Sequence, residues 1–411
     1  MVKIGMIGAG FVATFHSRAL QSVRGAELAA ITAPKGAEQL AEFAKESGIG
    51  KPRIFDNVAD LCADVDVVCI FAPNFARLEI MREIAKAAEN GAKLAGIICE
   101  KPLARNFQEA DILARMAKAL HVPNAYFENQ LHMPAVVEAR RQLAAVERSM
   151  GAVHLARSAE EHGGPHEPWF WDPTKQGGGV CCDMGCHSIA VGMYMLTPAG
   201  KRPDHLTPLA VTDGMALLKW GKEPWTSKLR ERGVDYSTTP AEDYSNVTIE
   251  FEDPDSGVRG IAQATNSWMY DAPGLRLLME AFGPGYSYTV NSLASPAGLF
   301  ISDAAADAVA DSELALEKAQ ATRGSLILQP NEADLYGYVA EWREAIAAFA
   351  AGRDAMLNFE YGRLVTMLVM AAYMAHERKK TIDLTNPATI EELESYTPLI
   401  QQGKGAQVLG R

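Results

Sequence analysis

The first thirteen residues restrict the fold more than any other stretch of the chain. Val2 to Ile7 is an apolar run that ends directly in a turn with Gly8, Gly10 and Ala13 at G-x-G-x-x-G/A spacing. In that pattern the first glycine permits a tight turn, and the second leaves no side chain in the way of a pyrophosphate. The small third residue lets the next helix pack on the strand, with its N-terminal amides facing the phosphates. The context is the required one, because the turn follows a predicted strand and opens an amphipathic helix carrying Phe11, Phe15, Ala19 and Leu20. These residues predict a dinucleotide-binding domain with Gly8, Gly10, Phe11 and Val12 at the cofactor. The alternative is a strand-turn-helix that uses glycine only for its backbone freedom.

The 411 residues, 48% hydrophobic and 22% charged, suffice for two sizeable cores. A net charge of -12 argues against nucleic acid or an anionic membrane as the main partner and leaves small-molecule chemistry. The start shows no basic region followed by a cleavage site, and no run has the length of a membrane span, so the expected location is cytoplasmic. Cys62, Cys69, Cys99, Cys181, Cys182 and Cys186 lack paired C-x-x-C spacing and sit mostly in apolar segments, which predicts buried, reduced thiols.

Strands are predicted near 2–7, 26–33, 66–71, 95–99 and 123–127, alternating with helices near 11–22, 36–47, 74–90 and 106–120. This α/β alternation predicts a doubly wound parallel sheet over residues 1–130. The pattern then changes to a helix at 135–148, a strand at 150–159, a Gly/Pro/aromatic loop at 160–179 and a helix at 181–195. Strands follow near 245–252, 257–267, 274–282 and 285–290, and long helical segments at 331–351 and 359–378. Residues 131–411 therefore read as an α+β domain on a mostly antiparallel sheet. Within it, 197–243 is an excursion of unassigned role with one strand-like piece, Leu209 to Trp220.

Two constellations can carry chemistry. The strand ending at Cys99 delivers Glu100, Lys101 and Pro102 to the carboxyl edge of a parallel sheet, where ligands bind. Lys101 can reach the crevice from there, or it forms a solvated pair with Glu100. The second is the glycine-led segment 177–187, which puts Asp183 and His187 four residues apart on one helix face. Histidine takes and returns a proton near neutrality, and a carboxylate beside it can orient it or grip a hydroxyl. The plainer reading is an acidic residue at a helix start and a satisfied core histidine. The loop 160–167 is dense in metal-type ligands, but Gly163, Gly164 and Pro165 deny it helical geometry, and no metal is expected. With Trp169 and Trp171 following, His162, His166, Trp169 and Trp171 read as a polar and aromatic substrate loop suited to a sugar ring; the two tryptophans can equally anchor a core.

Together these segments resemble the glucose-fructose oxidoreductase / inositol dehydrogenase / rhizopine catabolism (Gfo/Idh/MocA) family of nicotinamide-dependent sugar and polyol oxidoreductases. The resemblance spans nearly the whole chain. It rests on IGAG at 7–10, FAPN at 71–74, CEKPLA at 99–104, ENQLHMP at 128–134, GGGVCCDMGCHS at 177–188 and the late helix at 360–384. It implies a Rossmann domain followed by a domain whose large open sheet supports dimer or tetramer contacts. It also implies that Lys101 contacts substrate and cofactor and assists proton transfer, that Asp183 binds a substrate hydroxyl, and that His187 is the general base or acid. Pro73, Asn74, Glu100 and Asn129 would flank the cofactor.

Two departures matter. Where NAD-dependent members carry an acidic residue for the ribose 2′-hydroxyl, this chain has Ala33, with Thr32 and Lys35 beside it. A 2′-phosphate would meet no like charge there, which favours NADP over NAD. Many relatives also have histidine where this chain has Arg77. The reading is an NAD(P)-dependent dehydrogenase of a sugar, sugar acid or polyol. A redox-neutral isomerase, epimerase or glycoside-cleaving enzyme with a retained cofactor would show the same residues. A non-catalytic sensor, as in the family's yeast galactose regulator, would have no need of Lys101, Asp183 and His187.

Overall fold

The computed structural model of the chain describes residues 1–272, 274–294, 298–301, 324–327 and 331–410. The first sheet contains β1 (Val2–Ile7), β2 (Ala26–Thr32), β3 (Arg53–Ile54), β4 (Val67–Ile70), β5 (Gly96–Glu100) and β6 (Asn124–Phe127). All pair in parallel in the order β3-β2-β1-β4-β5-β6. Strand order reverses between β1 and β4, which opens a crevice at their carboxyl ends. Helices α1 (Phe11–Leu20), α2 (Ala37–Glu46), α3 (Val58–Asp64), α4 (Arg77–Glu89) and α5 (Phe107–Leu120) connect the strands. With helices on both faces, β4 and β5 are buried at every residue, which is why they read as continuous apolar runs. The sequence reading did not include β3 or α3: β3 is two exposed residues, and α3 is a single short helix started by Asn57, whose side chain accepts from the Asp60 amide.

After α6 (Pro134–Met150) come β7 (Leu155–Glu161), α7 (Pro173–Gln176), a π-turn at Cys181–Gly185, α8 (Cys186–Leu196), β8 (Thr207–Ala216) and α9 (Trp225–Glu231). Then follow β9 (Tyr244–Glu252), β10 (Arg259–Ser267), β11 (Arg276–Gly283), β12 (Tyr286–Asn291), β13 (Gly298–Ile301), β14 (Gly324–Ile327) and β15 (Ile382–Asp383). The second sheet runs β12-β11-β7-β10-β9-β8-β15; β7 and β10 are parallel and every other neighbour is antiparallel, while β13 and β14 pair as a separate antiparallel two-stranded sheet. Alternation along β9 buries Val247, Ile249 and Phe251 on one face; α8 packs on the neighbouring β7 and β10, and the long helix Phe359–Arg378 on β8. The opposite face presents Arg157 and Ile261, the latter 40% exposed.

Three sequence expectations shift. The strand expected from residue 150 begins at Leu155. The excursion contributes β8, an interior strand between β9 and β15, and its apolar run leaves the sheet after Ala216 because the amides of Leu218, Lys219 and Trp220 turn onto the Asp243 carboxylate at 2.7, 2.8 and 2.7 Å. The helical segment 331–351 breaks at Gly337 (φ 92°), where a Cβ would lie 2.2 Å from the Asn129 carbonyl oxygen. The late helices return to the first sheet: the Tyr126 amide donates to the Leu357 carbonyl at 2.9 Å, and Arg363 Nε to Asp111 Oδ1 at 2.7 Å. Among the described residues one helical stretch, Pro173–Leu196, is long and apolar enough to cross a membrane, and 94% of its apolar window is buried inside the protein.

Candidate active site

At the end of β1, Gly8 has φ 115° and a Cβ there would meet the Phe71 carbonyl at 2.6 Å. At Gly10 a Cβ would point into open space, with no atom within 4 Å. The α1 N-terminus that follows has no side-chain cap, so its first amides are left for an anion, and Ala13 is fully buried against the sheet. Phe11 is 47% exposed at this mouth and Val12 half-buried. At the end of β2, the Thr32 carbonyl accepts from the Gly8 amide at 2.9 Å; Ala33 is half-buried and Lys35 exposed. A cradle without a Cβ at Gly10, beneath an uncapped helix start, fits a dinucleotide.

The other cofactor candidates are held by protein contacts. Asn74 donates its amide to the Gln176 carbonyl (2.8 Å) and Oε1 (3.0 Å), tying the end of β4 beside Pro73 to α7. Asn129 donates to the Tyr336 carbonyl at 2.7 Å, at the helix break described above. Glu100 bonds His16 Nε2 at 2.8 Å, and His16 stacks on Phe71 with ring centres 4.4 Å apart. Burial pushes the Glu100 carboxyl up, but the bond and charge of His16 outweigh it and hold its pKa below the ordinary value.

The proton-handling candidates do converge. Lys101 reaches from the end of β5 into the second domain, its Nζ 3.0 Å from the Asp183 carbonyl and 3.6 Å from Asp183 Oδ1. Burial would lower the Lys101 pKa, but Asp183 together with Glu160 and Glu100 reverses the sign and keeps the ammonium charged. Asp183 Oδ2 lies 4.0 Å from His162 Nε2 and, among the described residues, has no hydrogen-bond donor. His187 Nδ1 meets Glu128 Oε1 at 2.5 Å. Burial favours neutral imidazole at His187, yet Glu128 raises its pKa above the ordinary value against the opposing charge of Lys101.

The segment carrying Asp183 and His187 is not one regular helix. The π-turn inserts a wider loop around Asp183 before α8 begins, a form of irregularity common at functional sites. Glu242 holds it, accepting from the amides of Gly179 and Cys181 at 3.0 Å each and from the Tyr373 hydroxyl at 2.6 Å. Burial drives the Glu242 carboxyl up to about 7 in spite of these donors. Glycine is needed at 178 and 179, where a Cβ would lie 1.9 Å from the Tyr373 hydroxyl and 2.2 Å from the Glu242 carbonyl.

The aromatic loop divides in two. Trp171 is fully buried among Trp220, Trp268 and Tyr236, its indole N–H donating to the Pro165 carbonyl at 3.1 Å, so it anchors the core and presents no face to a substrate. Trp169 is half-buried, stacked on Phe170 at 3.8 Å and edge-on to exposed Phe75 at 6.4 Å. The loop histidines part: His162 goes to Asp183 and His166 to Phe11, ring centres 5.9 Å apart. All six cysteines are buried free thiols, and burial pushes Cys62 up to about 12 and Cys99 to about 11. Sequence reasoning missed Glu128 and Glu242 as parts of the site and noted Arg77 only as a departure from the family pattern; the nearest signal for Glu128 was its position at the end of a parallel strand, next to Asn129.

Residues 2–127 match the oxidoreductase family with an NAD-binding Rossmann fold, and residues 137–283 match the GFO/IDH/MocA C-terminal domain. Glucose-6-phosphate 3-dehydrogenase of Bacillus subtilis is 36% identical over 30% of this chain, and the match spans only 32% of that protein's length. Myo-inositol 2-dehydrogenase of Thermotoga maritima is 23% identical over 93% of this chain and 98% of its own. Among solved structures, GenD2 from gentamicin A biosynthesis, in complex with NAD, superposes with a TM-score of 0.74 at 22% identity, covering 93% of this chain and 96% of that one. With both of its sheets accounted for and two thirds of its length matched, the chain belongs to the Gfo/Idh/MocA family of oxidoreductases.

Proposed function

We propose that the protein is an NADP-dependent dehydrogenase of a sugar or polyol, with residues 1–130 binding the dinucleotide and 131–411 the substrate. The observation that carries the reading is the approach of Lys101 Nζ to Asp183, an ammonium leaving the end of β5 and meeting a carboxylate of the π-turn before α8. A bound nicotinamide supplies the acceptor for the hydride leaving the substrate carbon. The chain's own groups do the rest. Asp183, with Oδ2 free of donors among the described residues, accepts a substrate hydroxyl. Lys101 stays protonated and stabilises the oxygen as it loses its proton. His187 removes that proton as the carbonyl forms, and returns it in reduction. Ala33 in place of a carboxylate, with Lys35 close by, supports acceptance of a 2′-phosphate.

The exposed face of the β7–β12 sheet is where a second copy would pack in a dimer or tetramer, and the expected compartment is the cytoplasm. The test is reduced-nicotinamide absorbance after mixing the protein with NADP or NAD and a panel of sugars, sugar acids and inositols. A rise with NADP supports the reading. No rise, with cofactor bound and substrate converted, would replace it with redox-neutral chemistry.

A further inference from the structure

We propose that Glu128 is the positioning residue of His187: its carboxylate fixes the imidazole with Nδ1–H donated to Oε1, leaves Nε2 as the proton-accepting atom, and stabilises the imidazolium formed during oxidation. This rests on the reading of His187 as the base.

The geometry of Glu128 supports a role toward that ring. The residue is fully buried, and a buried carboxylate is costly unless an opposite charge or several donors offset it. Its Oε1 receives His187 Nδ1 at 2.5 Å and the Gln130 amide at 3.4 Å, while Oε2 has no hydrogen-bond donor among the described residues. The imidazole is thus the one strong partner, and the carboxylate is best satisfied when that imidazole is charged. The groups acting on His187 come from several elements: Glu128 after β6, Lys101 after β5 and Glu160 on β7, with Asp183 in the π-turn and Glu341 on the helix Tyr338–Ala350 close behind them. Glu160 is engaged by Gln130 Nε2 at 2.8 Å and Asp183 by Lys101, so among the described residues Glu128 is the carboxylate that contacts the ring nitrogen directly. With Nδ1 committed to Glu128, a proton leaving a substrate hydroxyl goes to Nε2. The O–H bond breaks, the carbonyl forms as hydride departs to the oxidised nicotinamide, and the Nδ1 proton stays shared with Glu128.

The sign of the pH effect follows. The base form of His187 exists only above its raised pKa, so kcat/KM for oxidation falls as pH drops through that value. Removing the Glu128 charge leaves burial and Lys101, which lower the pKa, opposed by Glu160, which acts more weakly than either. Glu128→Gln is therefore expected to move the acid limb down by about 1 pH unit or more and to lower kcat about tenfold or more, while Glu128→Asp returns the limb toward its original position. A role confined to packing would lower activity in both variants with the limb unmoved, and that result overturns the proposal.

Nitrogen-15 histidine NMR of the unmodified protein tests the same point without substrate, the His187 signals being assigned by their loss in His187→Gln. The expected result is an Nδ1-protonated tautomer at high pH, with its Nδ1 proton far downfield. An Nε2–H tautomer would overturn the proposal. Failure of every substrate to turn over would instead remove the dehydrogenase reading and leave the NMR result standing.

Discussion

Arg77 grips the backbone on both sides of Lys101. Its guanidinium, buried at the start of α4, donates through Nη2 to the Lys101 carbonyl at 3.2 Å, through Nη1 to the carbonyls of Glu100 and Pro102, and through Nε to the Ala72 carbonyl at 3.1 Å. One planar cation thereby ties the carboxyl ends of β4 and β5 together and fixes where Lys101 leaves the sheet. Arginine at this position serves four carbonyls at once.

Replacing Arg77 by Met leaves those carbonyls without their donor. The expected loss is about 3 kcal/mol in urea unfolding, the scale for stranding buried polar groups, together with a fall in kcat as Lys101 loses its fixed exit. Arg77→Lys keeps the charge but not the fork, and is expected to fall between the two. Unchanged stability and kcat in Arg77→Met would show that the turn holds without it.

In the proposed reading the end of β2 sets the cofactor preference. Ala33→Asp places a carboxylate where a 2′-phosphate would lie, and the ratio of NADP to NAD affinity by calorimetry is expected to fall about tenfold or more. An unchanged ratio would remove Ala33 from the ribose pocket.

Trp169 and Trp171 should separate cleanly. Trp171→Ala empties a fully buried aromatic site and is expected to cost about 3–5 kcal/mol of stability. Trp169→Ala, at a half-buried position, is expected to change stability by about 1 kcal/mol or less and to raise the substrate KM several-fold. Equal loss of stability in both would mean that Trp169 is also part of the core.

The parts of this molecule readable from sequence are those written in local pattern. The β1–Gly8–α1 entry, the apolar runs of β4 and β5 and the alternation of β9 each carry a period or a glycine that short-range geometry requires. Lys101, Asp183 and His187 were legible as residue types at strand and helix ends. What escaped was non-local. Glu128 is 59 positions from His187, in a contact between the two domains, and Arg77 is 24 from Lys101, in a contact that forms only once β4 and β5 pair. The π-turn looked like plain helix because a backbone hydrogen-bond shift leaves no signature in spacing, and the strand-like piece Leu209 to Trp220 gave no sign that β8 lies inside the sheet, between β9 and β15. Trp171 and Trp169, two residues apart, read alike until Trp220 and Tyr236 of the excursion close over only one of them.

The most direct measurement compares wild type with Lys101→Met and His187→Gln, recording reduced-cofactor affinity by fluorescence and kcat on the best substrate in the same preparations. If these side chains handle the proton, both variants bind cofactor within about threefold of wild type while kcat falls by about 10²–10⁴. Turnover within about twofold of wild type in either variant, with cofactor still bound, would contradict the assignment.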